Sequence, residues 1–346
     1  MTRSKTSQRI IRTGAAAFAA GSLFLVSACS NNSTSSNSSS SAAASGDGVH
    51  IVTSTSIWAD VAKAVASDGV TVDPIVTGNN IDPHDFEPSA ADIAKAKEAN
   101  LVIAGGGGYD AWLYKAVDED KVIHALPLTD HDHHDHDHGE ASQSQTEESH
   151  SHDHKHGEEG HNHSHADREG AETNEHVWYS VDALTQVAND VASRVKELNP
   201  DAKVNSDDID ARLAKLKDRI AKLPHLHVAQ TEPIADYIIK DSELHDVTPE
   251  GYRSATLNES EPSAADLQAF LELINKGELD FLIYNPQTET DMTKQIHDAA
   301  VAKGVPIVEI AETPDSNQNF LDYFESVVGQ LEQQAKAAHP SQDKAA

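Results

Sequence analysis

From Val49 to Lys336 the chain alternates short runs of aliphatic and β-branched residues with amphipathic stretches, and this alternation restricts the fold more than any other feature. His50–Thr55, Val70–Val76, Leu101–Ala104 and Val122-Ile123 read as strands, with helices over Ile57–Val65 and Ala90–Ala99 between them. The pattern returns after residue 224. His227–Gln230, Phe281–Tyr284 and Val305–Ile310 read as strands, a helix runs through Tyr237 and Ile239, and others cover Leu267–Asn275, Thr293–Lys303 and Gln318 to Lys336. Strands that alternate with helices predict parallel sheets covered on both faces. Between the two sets, Ser180 is placed to cap a helix Val181–Leu198 that stops at Pro200. The next helix, Asp207–Leu223, carries Ile209, Leu213, Leu216, Ile220 and Leu223 on one apolar stripe and ends at Pro224. The expected fold is therefore α/β: two lobes, each a mainly parallel sheet flanked by helices, joined by one long linking helix.

A length of 346 residues allows such a pair of domains. Ahead of them, Arg3, Lys5, Arg9 and Arg12 precede an apolar run from Gly14 to Ala28, the layout of an export signal. Val26-Ser27-Ala28-Cys29 resembles the lipobox of bacterial lipoproteins, in which the cysteine is acylated, so Cys29 is the expected lipidation site. The apolar run is shorter than the roughly 20 residues a membrane span needs, and no later segment is apolar enough to span a membrane. Residues 30–46 are almost wholly Ser, Asn, Ala, Thr and Gly, a composition with nothing to bury. The organisation read from the chain is a signal peptide at 1–28, a lipid-anchored tether at 29–47, an N-terminal lobe at 48–204, a linking helix at 205–223 and a C-terminal lobe at 224–338. Cys29 is the one cysteine, which excludes an intrachain disulfide and a thiolate zinc cage. A formal charge of -31 argues against a nucleic-acid partner and for attraction to cations.

Two features give that attraction a chemistry. In Asn80-Ile81-Asp82-Pro83-His84-Asp85-Phe86-Glu87-Pro88, a histidine stands on a loop stiffened by a proline on either side. From Asp130 to Asp167 the composition breaks: His131, His133, His134, His136, His138, His150, His152, His154, His156, His161, His163 and His165 are interleaved with acids and small polar residues. With almost nothing apolar, this insert is expected to be disordered and to bind metal weakly at auxiliary sites. Neutral imidazole suits zinc, copper and nickel. Order resumes at Asn174-Glu175-His176-Val177-Trp178-Tyr179. Gly105-Gly106-Gly107-Gly108 is not a phosphate loop, since no Gly-Lys-Ser/Thr follows and Asp110 stands where a dinucleotide fingerprint needs its third glycine. A close-approach turn at a strand end is expected instead. His50, His124, His225, His227, His245, His297 and His339 read as structural or solvated.

Taken in order, Asp82-Pro83-His84-Asp85-Phe86-Glu87-Pro88, the His-rich insert and Asn174-Glu175-His176-Val177-Trp178 resemble the solute-binding lipoproteins of bacterial zinc/manganese ABC transporters, which have a rigid linking helix. The resemblance implies four metal ligands: His84, His176, Glu232 in Thr231-Glu232-Pro233, and Glu312 in Ile310-Ala311-Glu312-Thr313. The chain departs from the family pattern twice, with glutamate where the common zinc site has a third histidine and a fourth acid longer by one methylene. Two neutral imidazoles and two carboxylates form an N2O2 set whose charge cancels that of a divalent cation.

The implied function is a monomeric extracytoplasmic receptor, lipid-anchored at the outer face of the cytoplasmic membrane, that captures Zn2+ and delivers it to an ABC transporter permease. Mn2+ is the alternative ion. A surface zinc buffer or adhesin acting through the His-rich tract is a second reading. A metallohydrolase is disfavoured, because the chain has no His-Glu-x-x-His helix and four protein ligands leave no open position for a water; no enzyme activity is expected.

Overall fold

The computed structural model describes residues 48–80, 82–129 and 174–338. The export signal, the tether with Cys29, the twelve histidines of the insert and His339 lie outside the described residues.

The first sheet is built from β1 (Val49–Thr55), β2 (Val70–Val76), β3 (Leu101–Ala104) and β4 (Val122–His124), with α1 (Ser56–Val65), α2 (Ala90–Glu98) and the single turn α3 (Ala111–Tyr114) between them. All pairings are parallel, in the order β2-β1-β3-β4, with Val49 opposite Val70 and Ile51 opposite Leu101. Every residue of β3 is buried, as a strand covered on both faces requires. Two helices follow. These are α4 (Val181–Leu198), capped by the Ser180 hydroxyl accepting from the Ala183 N–H, and α5 (Asp207–Ile220). The expected linking helix is thus three residues shorter at its end than its apolar stripe. Leu223 is buried four residues before β5 begins, in the turn rather than the helix.

The second sheet repeats the first. It contains β5 (His227–Gln230), then α6 (Asp236–Lys240), β6 (His245–Asp246), α7 (Glu250–Leu257), α8 (Ala264–Lys276), β7 (Phe281–Tyr284), α9 (Asp291–Lys303), β8 (Ile307–Glu309) and finally α10 (Phe320–Ala338). Its order is β6-β5-β7-β8, again all parallel. In each sheet the order reverses between its first and third strands, and the crevice at the carboxyl ends of such strands is where α/β sheets bind ligands. Sequence patterning does not reveal β6, which is only two residues long, or α7, whose one buried side chain is Tyr252 and leaves no periodic stripe.

One apolar cluster runs through both halves. It joins Trp58, Ile103, Trp178 and Leu184 to Leu213, Leu216, Phe281, Ile283, Phe324 and Val328 without interruption. Helix α10 packs on α1, α5 and β8, and so joins the linker to a helix of the first half and a strand of the second. Arg219 of α5 forks onto Glu332 of α10 at 2.8 and 3.0 Å, and Arg212 reaches Glu325 at 2.6 Å. No helix among the described residues is long and apolar enough to cross a membrane.

Candidate metal centre

His84 lies on the loop between β2 and α2. Its backbone N–H donates to the Asp82 carboxylate at 3.0 Å, closing a tight turn, and Ser89 with Asp92 then forms a capping box that starts α2. His176 opens a 3₁₀ turn, Val177–Tyr179, whose three side chains are all buried and so anchor the backbone beneath it. Glu232 follows β5 with φ -151 and ψ 146, the extended geometry that Pro233 imposes on its predecessor. Glu312 follows β8. On its two sides, Ala311 is pinned by the Tyr179 hydroxyl donating to its carbonyl at 2.7 Å and by its own N–H donating to Tyr323 at 2.8 Å. Thr313 donates to the Gly78 carbonyl at 2.9 Å, from the second half of the chain to the first.

These four side chains converge. His176 Nε2 is 3.0 Å from Glu312 Oε1 and 3.4 Å from Glu232 Oε1; His84 Nε2 is 3.5 Å from Glu232 Oε1 and 3.7 Å from Glu312 Oε1. One donor atom from each residue lies within 4.8 Å of all the others. Their burial is graded: Glu312 is 0% and His176 3% exposed, whereas Glu232 is 16% and His84 21% exposed. The outer pair faces an open cavity of about 580 Å³ whose lining includes Asp82, Asp85, Glu175, Glu259 and Glu261. Negative charge therefore lines the approach.

Surrounding residues fix which atoms point inward. The Asn174 amide nitrogen donates to the Pro233 carbonyl at 2.6 Å and to Asp236 at 2.9 Å, so its oxygen must be the atom that accepts from His176 Nδ1–H at 2.7 Å. When the ring is neutral, that leaves the lone pair of His176 on Nε2, the nitrogen facing Glu312 and Glu232. Glu175 does the same for His84, lying 3.1 Å from its Nδ1. His84 Nε2 is buried and has no hydrogen-bond partner among the described residues. Asn285 bridges the carboxylates, donating to Glu232 Oε2 at 2.6 Å and Glu312 Oε1 at 2.9 Å, and Thr288 adds a bond to Glu232 Oε2 at 2.5 Å. Asp236 is itself held by Arg253 through two bonds of 2.9 and 2.7 Å. These orienting residues were not legible as such in the sequence. Asn285 had one signal, since it follows the buried strand β7 directly, much as Glu232 and Glu312 come shortly after theirs.

The glycine run serves this arrangement. Gly106 has φ 83, and a Cβ there would fall 2.2 Å from the Leu126 carbonyl oxygen, so the close-approach turn is real. The N–H groups of Gly105 and Gly106 donate to the Asp110 carboxylate at 2.6 and 3.0 Å. The chain's own acid thus fills the place a phosphate would take. The turn delivers Tyr109, whose ring meets His84 edge-on at 5.0 Å and whose hydroxyl donates to Glu312 Oε2 at 3.4 Å.

Electrostatics follow from the geometry. Burial works against a charged imidazole, but the carboxylates of Glu312 and Glu232 outweigh it and push His176 up to about 10. His84 is opposed by burial in the same way and driven far above its usual value by Glu175, Glu232 and Glu312. Burial raises the Glu232 carboxyl, yet the two imidazoles more than offset this and hold it well below the usual carboxylate range. Without an ion, the cluster is therefore held together by protons on its two rings.

Two parallel sheets with a polar cleft at their carboxyl ends define a two-lobed α/β binding protein. The chain belongs to the ZnuA family, whose description is "Zinc-uptake complex component A periplasmic" and whose model matches residues 51–334. The manganese ABC transporter substrate-binding lipoprotein PsaA of Streptococcus pneumoniae serotype 4 is 36% identical over 81 residues, 22% of this chain and 26% of that protein. The iron ABC transporter substrate-binding lipoprotein MtsA of Streptococcus pyogenes serotype M1 is 34% identical over 100 residues, 28% of this chain and 30% of that protein. The chain thus spans under a third of the length of these curated relatives. The periplasmic zinc-binding protein TroA from Treponema pallidum shares the fold, with a TM-score of 0.56 at 17% identity over 84% of this chain and 99% of that one.

Proposed function

We propose that this chain is the extracytoplasmic receptor of a metal-ion ABC transporter, holding a divalent cation with His84, His176, Glu232 and Glu312 and delivering it to a permease. One observation carries the reading. Nitrogen and oxygen donors bound at 2.0–2.2 Å to a tetrahedral centre must stand roughly 3.3–3.5 Å from one another. The four nitrogen–oxygen separations here are 3.0, 3.4, 3.5 and 3.7 Å, around a buried imidazole nitrogen with no other use. In this reading the lobes are 48–204 and 224–338, and Cys29 carries a lipid anchor that keeps the monomer at the membrane.

Zinc is the ion we assign, because a closed four-donor N2O2 set suits a tetrahedral metal, whereas manganese favours octahedral, oxygen-rich sites. The relatives' names include manganese and iron, so the assignment rests on coordination number. Cobalt substitution tests it: a four-coordinate site gives the intense visible bands of tetrahedral Co2+. Only weak, octahedral-type absorption would reassign the site to manganese.

The protonation of the rings sets the pH dependence. Binding must expel the protons on His84 and His176, so affinity rises with pH and falls with acid. The window follows from the raised values: affinity should still be climbing through neutral pH towards about 10, the value for His176, rather than levelling above the ordinary imidazole range. The same sign applies to the ion-free protein. Stability from a histidine with a raised folded pKa is complete below about 6.5 and is lost as pH approaches the folded value. Calorimetry at pH 7.5 in buffers of different ionisation enthalpy should show net proton release on binding; none would contradict this account.

The His-rich tract is read as an auxiliary collector. Its interleaved imidazoles and carboxylates offer donors of the type zinc takes, apart from the four converging residues of the cleft. Deleting Asp132 to His165 should remove several weak sites in a titration and leave the tight site within a few-fold of its original affinity. If the tight site vanished with the tract, the chain would instead be a metal buffer.

A further inference from the structure

Three of the histidines that the sequence alone leaves without a role meet at the far end of the second sheet. His227 begins β5 and His245 begins β6, and the two are register partners in a parallel pair. His225 stands two residues before His227. The intervening Leu226 is buried, as is Leu244 before His245, while His225 and His245 are exposed and His227 is half-buried. Alternation therefore places all three imidazoles on one face. Their ring centroids form a nearly equilateral triangle of 5.5, 5.7 and 5.5 Å.

We propose that His225, His227 and His245 form a second, surface metal site that takes a borderline-soft divalent cation such as Zn2+, Cu2+ or Ni2+. An imidazole bound at about 2.0–2.1 Å puts its ring centre about 3.2 Å from the metal, so two rings at the tetrahedral angle have centres about 5.2 Å apart. The triangle is within a few tenths of an ångström of that value, and His84 and His176 in the cleft are separated by 5.7 Å. His227 Nδ1 lies 3.2 Å from the Glu278 carbonyl oxygen, which can only accept; the proton is on Nδ1 and the lone pair on Nε2. The His225 and His245 rings lie near-parallel, 25° apart, and the three rings' nitrogens do not yet converge within 4.8 Å of one another; both residues are exposed, and binding requires a turn of their rings towards His227 Nε2. From His227 to Glu232 the strand advances roughly 16 Å at about 3.3 Å per residue, too far for one ion to touch both groups. The three-nitrogen set also differs in preference from the cleft, since imidazole without carboxylate discriminates against hard cations such as Mn2+.

The test uses the full chain with its cleft already loaded, and diethyl pyrocarbonate, which modifies free imidazole nitrogens, read peptide by peptide by mass spectrometry. This separates the triad from the histidines of the insert. Added Zn2+ should slow modification of His225, His227 and His245 together, and Mn2+ at the same concentration should not. In His245→Gln, protection of His225 and His227 should require at least roughly 10–100-fold more Zn2+, and His225→Gln should do the same to its two partners. Both substitutions are at exposed positions, so the fold survives them. Modification rates unchanged by Zn2+, equal protection by Mn2+, or undiminished protection in either variant would each overturn the site.

Discussion

Replacing Glu312 by glutamine is expected to abolish tight metal binding and leave the fold standing. The amide keeps the size of the side chain and can still face Asn285, while the backbone on either side stays pinned by Tyr179, Tyr323 and the Thr313–Gly78 bond. What goes is the one fully buried negative charge that compensates the cation. Losing an orienting partner of a metal ligand costs about 10–100-fold in affinity, so losing the ligand itself should cost upward of a hundredfold. His176→Ala should match that loss and add another. It removes the ring that neutralises Glu312, and breaking a buried pair by deleting one partner costs roughly 3–5 kcal/mol of stability. Calorimetric titration and thermal unfolding of the two variants separate the effects. Wild-type affinity in Glu312→Gln would remove Glu312 from the site.

The second large effect lies away from the donors. Arg253→Met should lower the melting temperature by roughly 10 °C and weaken metal binding, although Arg253 touches none of the four donor residues. Its guanidinium forks onto Asp236, whose side chain is 3% exposed, and also reaches Asp246 at 3.0 Å. Without it, two carboxylates are left facing one another with Gln230, Asn174 and the Thr248 N–H as their remaining donors. Asn174 is the residue that orients His176, so a shift of Asp236 is transmitted to Nε2 in one step. Arg253→Lys restores charge without the fork and should recover part of the stability and little of the affinity. A melting temperature unchanged in Arg253→Met would show that the network contributes nothing.

The four converging residues were legible in the sequence and their supports were not, for a physical reason. His84 and His176 stand in short motifs, and Glu232 and Glu312 each come shortly after a run of buried strand residues, so local pattern picks out all four. Asn285, Asp236 and Arg253 act through contacts between residues 6 to 62 positions apart, such as Gln230 with Asp236 and Asn174 with Asp236. No local period encodes these. The two sheets were read from strand–helix alternation, while β6 was too short to show a period. That omission also hid the triad, because His245 is placed beside His227 only by the β5–β6 register.

The graded burial of the four donors has a kinetic meaning. In the proposed site, an ion arriving through the acid-lined cavity first meets the more exposed His84 and Glu232, with His176 lining the same cavity at 3% exposure and Glu312 fully buried behind it. On this reading the outer two are expected to govern how fast an ion is caught, and the inner two how long it stays. Release runs in reverse, and anything that pulls His84 or Glu232 aside opens the exit while the ion is still bound within. Substituting an outer donor should therefore slow association most, and substituting an inner one should shorten residence, so that two variants of equal affinity could load a permease at quite different speeds.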